Sequence, residues 1–258
     1  RVVAAMAPCW TECYGNPAST SHAVGEEAAR RVESARQVIA EGLGVAPREL
    51  VFTSGATESN NLAIFGLAER LVKKHQAPGH VLTLQTEHKA VLDPVAALHR
   101  DGWGRTFVAV AAHNDTCPGL VDPRDFERAV EAAVESAGSE TLVFASVMLA
   151  NNEIGVIQPV AELSEICHRH GVLLHCDATQ AIGKTPVDLA SLDADMISFT
   201  AHKMYGPKGV GALVIRSRSP RIRLTPQILG GGHEQGRRSG TLNVPGIVGF
   251  AAAFQLSL

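Results

Sequence analysis

No apolar run in this chain of 258 residues approaches the roughly 20 that a membrane-spanning helix needs. The opening Arg1-Val2-Val3-Ala4-Ala5-Met6-Ala7-Pro8 lacks the charged head and unbroken apolar stretch of a signal peptide. It also lacks an initiator methionine, so the chain is expected to begin inside a longer protein. Positive charge is not in excess: 23 Lys and Arg against 26 Asp and Glu leave a formal net charge of -3, which speaks against nucleic acid as the main partner. The five cysteines (Cys9, Cys13, Cys117, Cys167 and Cys176) form neither a metal-spaced pair nor a disulfide framework. No metal site is therefore expected, and the reducing cytoplasm is the default compartment. Internal repeats, low-complexity tracts and linkers are missing too, so a single domain over 1–258 is expected. With 45% hydrophobic and 19% charged residues, the composition is that of a chain able to bury an ordinary core.

What is there is an alternation of short apolar runs and longer helical patterns. Val24, Ala28, Val32, Ala35 and Ile39 recur at steps of three and four, which predicts a helix over 23–43. Strands are expected at 50–53, 80–84, 106–110, 142–147, 172–176 and 210–215, with a further apolar run ahead of Lys203. Helices are expected after Asn61, through Val91, Val95 and Leu98, over 122–136, from Pro159 to His170, and from Val244 onward. Such alternation predicts right-handed βαβ units: a three-layer α/β/α fold with a mostly parallel central sheet.

Polar residues of unusual kind fall at the carboxyl ends of these strands, where open parallel sheets bind ligands. They are Ala56-Thr57, His88, Asn152, Asp177 with Gln180, and Thr200 to Lys203. A lysine just past an apolar run, with a hydroxyl three residues before it, suits an aldehyde-phosphate cofactor: Lys203 can form a Schiff base and Thr200 can reach a phosphate oxygen. Asp177 ends the preceding run, and a carboxylate against a pyridine nitrogen favours its charged form by roughly 1–3 pKa units. Each residue has a plainer reading. A lysine beside a loop is often solvated, Ser54 or Thr57 can simply cap the helix that follows, and Gln180 can be a satisfied polar group under a loop.

The motifs Thr53-Ser54-Gly55-Ala56-Thr57-Glu58-Ser59-Asn60-Asn61, Thr86-Glu87-His88-Lys89-Ala90-Val91, Asn151-Asn152-Glu153-Ile154-Gly155 and His175-Cys176-Asp177-Ala178-Thr179-Gln180 follow one another in order. They are completed by His202-Lys203-Met204-Tyr205-Gly206-Pro207-Lys208-Gly209 and by the late stretch from Gly230 to Thr241. The set resembles the class-V aminotransferase group, and within it the cysteine desulfurase and selenocysteine lyase family. Ala201 stands where that family commonly has glycine, and Thr200 where it commonly has serine.

The resemblance implies the large domain of a pyridoxal 5'-phosphate (PLP) enzyme of fold type I. It implies a Schiff base on Lys203, Asp177 at the ring nitrogen, His88 stacked on the ring and moving protons, and Asn152 and Gln180 at the phenolic oxygen. Ala56, Thr57, Thr200 and His202 would hold the phosphate, and Thr241 would serve the partner subunit's phosphate in a homodimer with shared sites. L-cysteine would be the substrate and a sulfur-acceptor protein a further partner. The family's sulfur-carrying cysteine loop and its substrate-clamping arginine are expected beyond residue 258, so this chain alone is expected to bind cofactor without forming persulfide. A selenocysteine lyase and a catalytically silent PLP-binding or dimerisation scaffold are the alternatives. Cys117 is the one cysteine expected to be exposed. Arg216, Arg218, Arg221, Arg223, Arg237 and Arg238 form a basic stretch expected to be opposed only by Glu234, and to be solvated or dimer-facing.

Overall fold

Seven short apolar segments zip into one sheet. In the computed structural model, which describes residues 1–139 and 143–258, these are β1 (Leu50–Thr53), β2 (His80–Leu84), β3 (Gly104–Val108), β4 (Val143–Met148), β5 (Leu173–Asp177), β6 (Met196–Thr200) and β7 (Gly211–Ile215). Their spatial order is β1-β7-β6-β5-β4-β2-β3. β7 runs against both of its neighbours and every other pair is parallel. Leu142, the expected first residue of β4, lies outside the described residues. The strand expected at 106–110 begins two residues earlier, because Gly104 pairs with His80 in the β2–β3 ladder.

Alternate residues of each strand feed two apolar layers, as the period of two requires. Leu50, Phe52, Leu174, Cys176, Ile197 and Phe199 pack under α3 (Ala23–Leu43), α6 (Pro123–Ala137), α7 (Val160–Arg169) and α9 (Val244–Ser257). Val51, Val81, Phe144, Met196 and Leu213 face α4 (Ala56–His75) and α5 (Lys89–Arg100). Helices on both faces of a mostly parallel sheet make the three-layer α/β/α arrangement the alternation predicts. The buried stripe of α3 is Ala28, Val32, Ala35 and Ile39, while Val24 turns out to solvent. Among the described residues no helix is long and apolar enough to cross a membrane. The N-terminal residues hold two short helices, α1 (Val2–Met6) and α2 (Pro8–Thr11), the first packed on α9, and one more short helix, α8 (Leu189–Leu192), lies between β5 and β6.

The arginines of the late stretch are more fully paired than the sequence suggests. Arg216 lies 4.0 Å from Glu49, Arg218 pairs with Asp193 at 2.8 Å and Asp195 at 2.9 Å, and Arg238 pairs with Glu58 at 2.7 Å. Glu234 opposes none of these three. It is buried in a bidentate pair with Arg36 of α3 (2.6 and 3.0 Å) and accepts the Phe52 N–H at 2.8 Å. The expectation of one lone counter-charge fails because the real partners come from positions far away in sequence that β1, β7 and α4 bring alongside.

Candidate active site at the carboxyl edge of the sheet

Because β4, β5 and β6 are adjacent and parallel, their carboxyl ends open on one edge. Asp177 is the last residue of β5 and Thr200 the last of β6. A 3₁₀ turn (Ala201–Met204) then carries His202 and Lys203 over the rim. On the neighbouring side, β1 ends one turn before α4, whose first residues are Ala56 and Thr57. A cavity of about 390 Å³ lies between these ends. Ala56, Thr57, His88 and Asn152 are in its wall, together with Asp177, Gln180, His202 and Lys203.

Thr200 and Thr241 are not in that wall. The Thr200 side chain is fully buried; its hydroxyl lies 3.0 Å from the Val210 carbonyl, to which it donates, and 3.1 Å from His202 Nδ1. It therefore braces the turn that carries His202 and Lys203. Thr241 is exposed on the segment before α9.

The start of α4 is capped by neither Ser54 nor Thr57. Its N-cap is Gly55, with no side-chain cap, and Glu58 instead accepts the Ser54 N–H at 2.8 Å. Burial by itself would raise the Glu58 carboxyl, but Arg238 and Ser54 outweigh it and hold it below the usual range. The amide end of a 20-residue helix thus faces the cavity with its first N–H groups free of side-chain partners, an arrangement that favours a phosphate. Close packing keeps it there. A Cβ on Gly211 would come within 2.7 Å of the Gly55 backbone, so β7 can lie against the β1–α4 turn only with glycine at 211.

Asp177 is buried and doubly held: its Oδ2 accepts Asn60 Nδ2 at 2.8 Å, and its Oδ1 accepts the Thr179 N–H at 3.0 Å. Beneath it on the same sheet face, His175 bridges Ser146 Oγ and Ser198 Oγ at 2.8 Å each. Burial drives the His175 pKa down to about 4 against the pull of Asp177, so the ring is neutral. The wall also carries positive charge, from Lys203 and Lys208. His202 is held below its usual pKa by burial and then by Lys203 and Lys208, and Lys184 by burial and then by Lys203. Lys184 donates to Gln180 Oε1. His88 caps α5 by accepting the Ala90 N–H on Nδ1 at 3.0 Å, which leaves Nε2 as the proton-bearing nitrogen of the neutral ring. Cys117 is exposed and the other four cysteines are buried.

A group with a phosphate, a ring nitrogen and polar substituents fits this cavity. Lysines, His202, the free helix amide end and a fixed carboxylate share its wall, and two buried wall atoms, Asn60 Oδ1 and Thr179 Oγ1, lack a partner among the described residues. Sequence reasoning assigned no role to Asn60, Glu87 or His175. For Asn60 a signal was present, since it occupies a core position of α4 at helical spacing from Ala63, Ile64 and Leu67. A second cleft, about 490 Å³, opens at the amino ends of β4 and β5 and contains none of the ordered motifs.

Sheet order, edge placement and cavity chemistry define an α/β protein with the large-domain architecture of PLP enzymes of fold type I. Residues 1–257 match the family model described as aminotransferase class-V, and the chain belongs to that family. Cysteine desulfurase IscS of Anaeromyxobacter dehalogenans (strain 2CP-C) is 49% identical over 258 residues, covering 100% of this chain and 59% of the relative. The enzyme of the same name from Enterobacter sp. (strain 638) is 47% identical over 259 residues, covering 100% of this chain and 60% of its own. Among solved structures, a NifS-like protein superposes with a TM-score of 0.89 at 40% identity, covering 100% of this chain and 66% of its own. SspA in complex with cysteine gives a TM-score of 0.86 at 35% identity, covering 98% of this chain and 68% of its own. The chain thus spans about 59% of the length of the curated relatives it matches.

Proposed function

We propose that this chain is the cofactor-binding part of a PLP-dependent cysteine desulfurase, which takes sulfur from L-cysteine, leaves L-alanine and passes the sulfur to an acceptor protein. The observation that carries the reading is that Lys203 and Asp177, from the ends of neighbouring strands, share the wall of one cavity with a free helix amide end. When bound, PLP supplies an electron sink for negative charge developing at the substrate's α-carbon.

The chain's own residues have the following tasks. Lys203 would hold the cofactor covalently through its amine and move a proton at the substrate's α-carbon. Asp177 keeps the ring nitrogen protonated, and Asn60 and the Thr179 amide fix the orientation of its two oxygens. The amides at Ala56 and Thr57 and the His202 ring bind phosphate, with Thr200 bracing His202 from behind. Asn152 and Gln180 hold the phenolic oxygen, while His88 stacks on the ring and presents Nε2 for proton transfer. Thr241 completes the phosphate site of a second subunit in a homodimer. The relatives named for cysteine desulfurase and for bound cysteine support the substrate, and the five free thiols suit a reducing cytoplasm.

The test is borohydride reduction of the PLP-loaded chain followed by peptide mass mapping. The expected adduct lies on the peptide containing Lys203 and is lost in Lys203→Ala. An adduct on another lysine, or one that survives the substitution, overturns the assignment.

A further inference from the structure

Glu87 precedes the His88 cap of α5 and is buried, yet it does not reach the cavity wall. It lies behind Met148: Glu87 Oε1 accepts the Met148 N–H at 2.8 Å, while Oε2 is buried with no hydrogen-bond partner among the described residues. Met148 is the ladder partner of Asp177, so a second carboxyl group lies behind the part of the floor that Asp177 lines. Among the described residues neither forms an ion pair with a lysine, arginine or histidine. The other titratable groups there, Cys176 and His175 on β5, bring no positive charge: His175 is neutral, and burial, then Asp177 and Glu87, push the Cys176 thiol up.

Two buried carboxylates without a cation cannot both keep their charge cheaply, so one proton is retained between them. The donors decide where it stays. Asp177 receives a side-chain amide and a backbone N–H, whereas Glu87 receives a single backbone N–H and leaves one oxygen bare. Burial, with Asp177 adding to it against the Met148 bond, moves the Glu87 carboxyl in the same direction, well above its usual range.

We propose that Glu87 is carried as the neutral acid and acts as a positioning residue, pinning the turn that bears His88 to β4 beside the part of the cavity floor that Asp177 lines. The protonation follows from the protein's own groups, and its bearing on cofactor binding rests on the PLP reading above. Three measurements on wild type, Glu87→Gln and Glu87→Ala test it. First, the infrared spectrum of the cofactor-free protein at neutral pH shows the carbonyl stretch of a protonated carboxyl that Glu87→Gln removes.

Second, urea unfolding is followed from about pH 5 to about pH 8. A folded-state acid with a raised pKa binds a proton that the unfolded chain has released. Wild-type folding therefore weakens relative to Glu87→Gln by up to about tenfold per pH unit as pH rises. Third, PLP titration gives an affinity within about twofold of wild type for Glu87→Gln and more than about tenfold weaker for Glu87→Ala, since glutamine keeps the acceptor for Met148.

A pH-independent wild-type-to-glutamine difference without the infrared band overturns the neutral acid. Glutamine as poor as alanine in binding PLP overturns the positioning role. A wild-type protein that shows the band and the slope but takes up no PLP upholds the neutral acid and overturns the cofactor reading. If Glu87→Ala does not fold, the glutamine variant decides both points.

Discussion

Asn60 offers the sharpest test of how the site is held. Its side chain is fully buried on α4, and its Nδ2 donates to Asp177 Oδ2 at 2.8 Å across 117 residues of sequence. A hydrogen bond to a charged acceptor contributes about 1.5–3 kcal/mol net, and removing the donor leaves that oxygen without its buried partner. Asn60→Ala is therefore expected to cost about 2 kcal/mol, shared between folding stability and PLP affinity according to how far Asp177 turns when only the Thr179 N–H still holds it. Urea unfolding reads the first share and PLP titration the second; together they amount to roughly a thirtyfold change in equilibrium constants. A double-mutant cycle with Asp177→Asn isolates the bond from the space that alanine leaves behind. A coupling of about 1.5 kcal/mol or more is expected. A coupling under about 0.5 kcal/mol would refute the view that Asn60 orients the carboxylate.

Glu234→Ala strips the partner from buried Arg36 and from the Phe52 N–H, so unfolding should ease by about 3–5 kcal/mol in urea titration, with Glu234→Gln recovering part of it. Gly211→Ala drives a methyl into the Gly55 backbone, and overpacking of this kind costs about 1–3 kcal/mol; the added sign to look for is weakened PLP uptake, because the displaced turn carries the start of α4. His175 keeps a folded-state pKa of about 4 against an ordinary 6.5, so its contribution to stability is present above 6.5 and is lost as pH falls toward 4. The loss is about 3 kcal/mol at most, and the acid limb of the stability profile should flatten in His175→Gln.

The alternation of strands and helices was legible along the chain because each element carries its own period, two for the strands and near 3.6 for helices such as α3 and α6. Lys203 and Asp177 were legible for a related reason: both follow apolar runs, and successive runs of a parallel sheet deliver their last residues to one edge. Motif order carried the family, and the family model and relatives agree with it. What local pattern does not encode is which distant side chain meets which. Asn60 bonds Asp177 only because α4 lies over the face of β5 that carries odd-numbered residues, and Glu87 becomes a buried, half-satisfied acid only because β4 sets Met148 beside it. Glu234 reads as a counter-charge for nearby arginines until β1 and α3 claim it for Arg36 and Phe52. Hydrophobic period is a property of neighbours along the backbone, so the sequence by itself determined the elements and the edge where they converge. Hydrogen bonds and buried charges depend on separations of a few ångströms between segments remote in sequence, so only the tertiary structure decided how the acid, the amine and their supports are held.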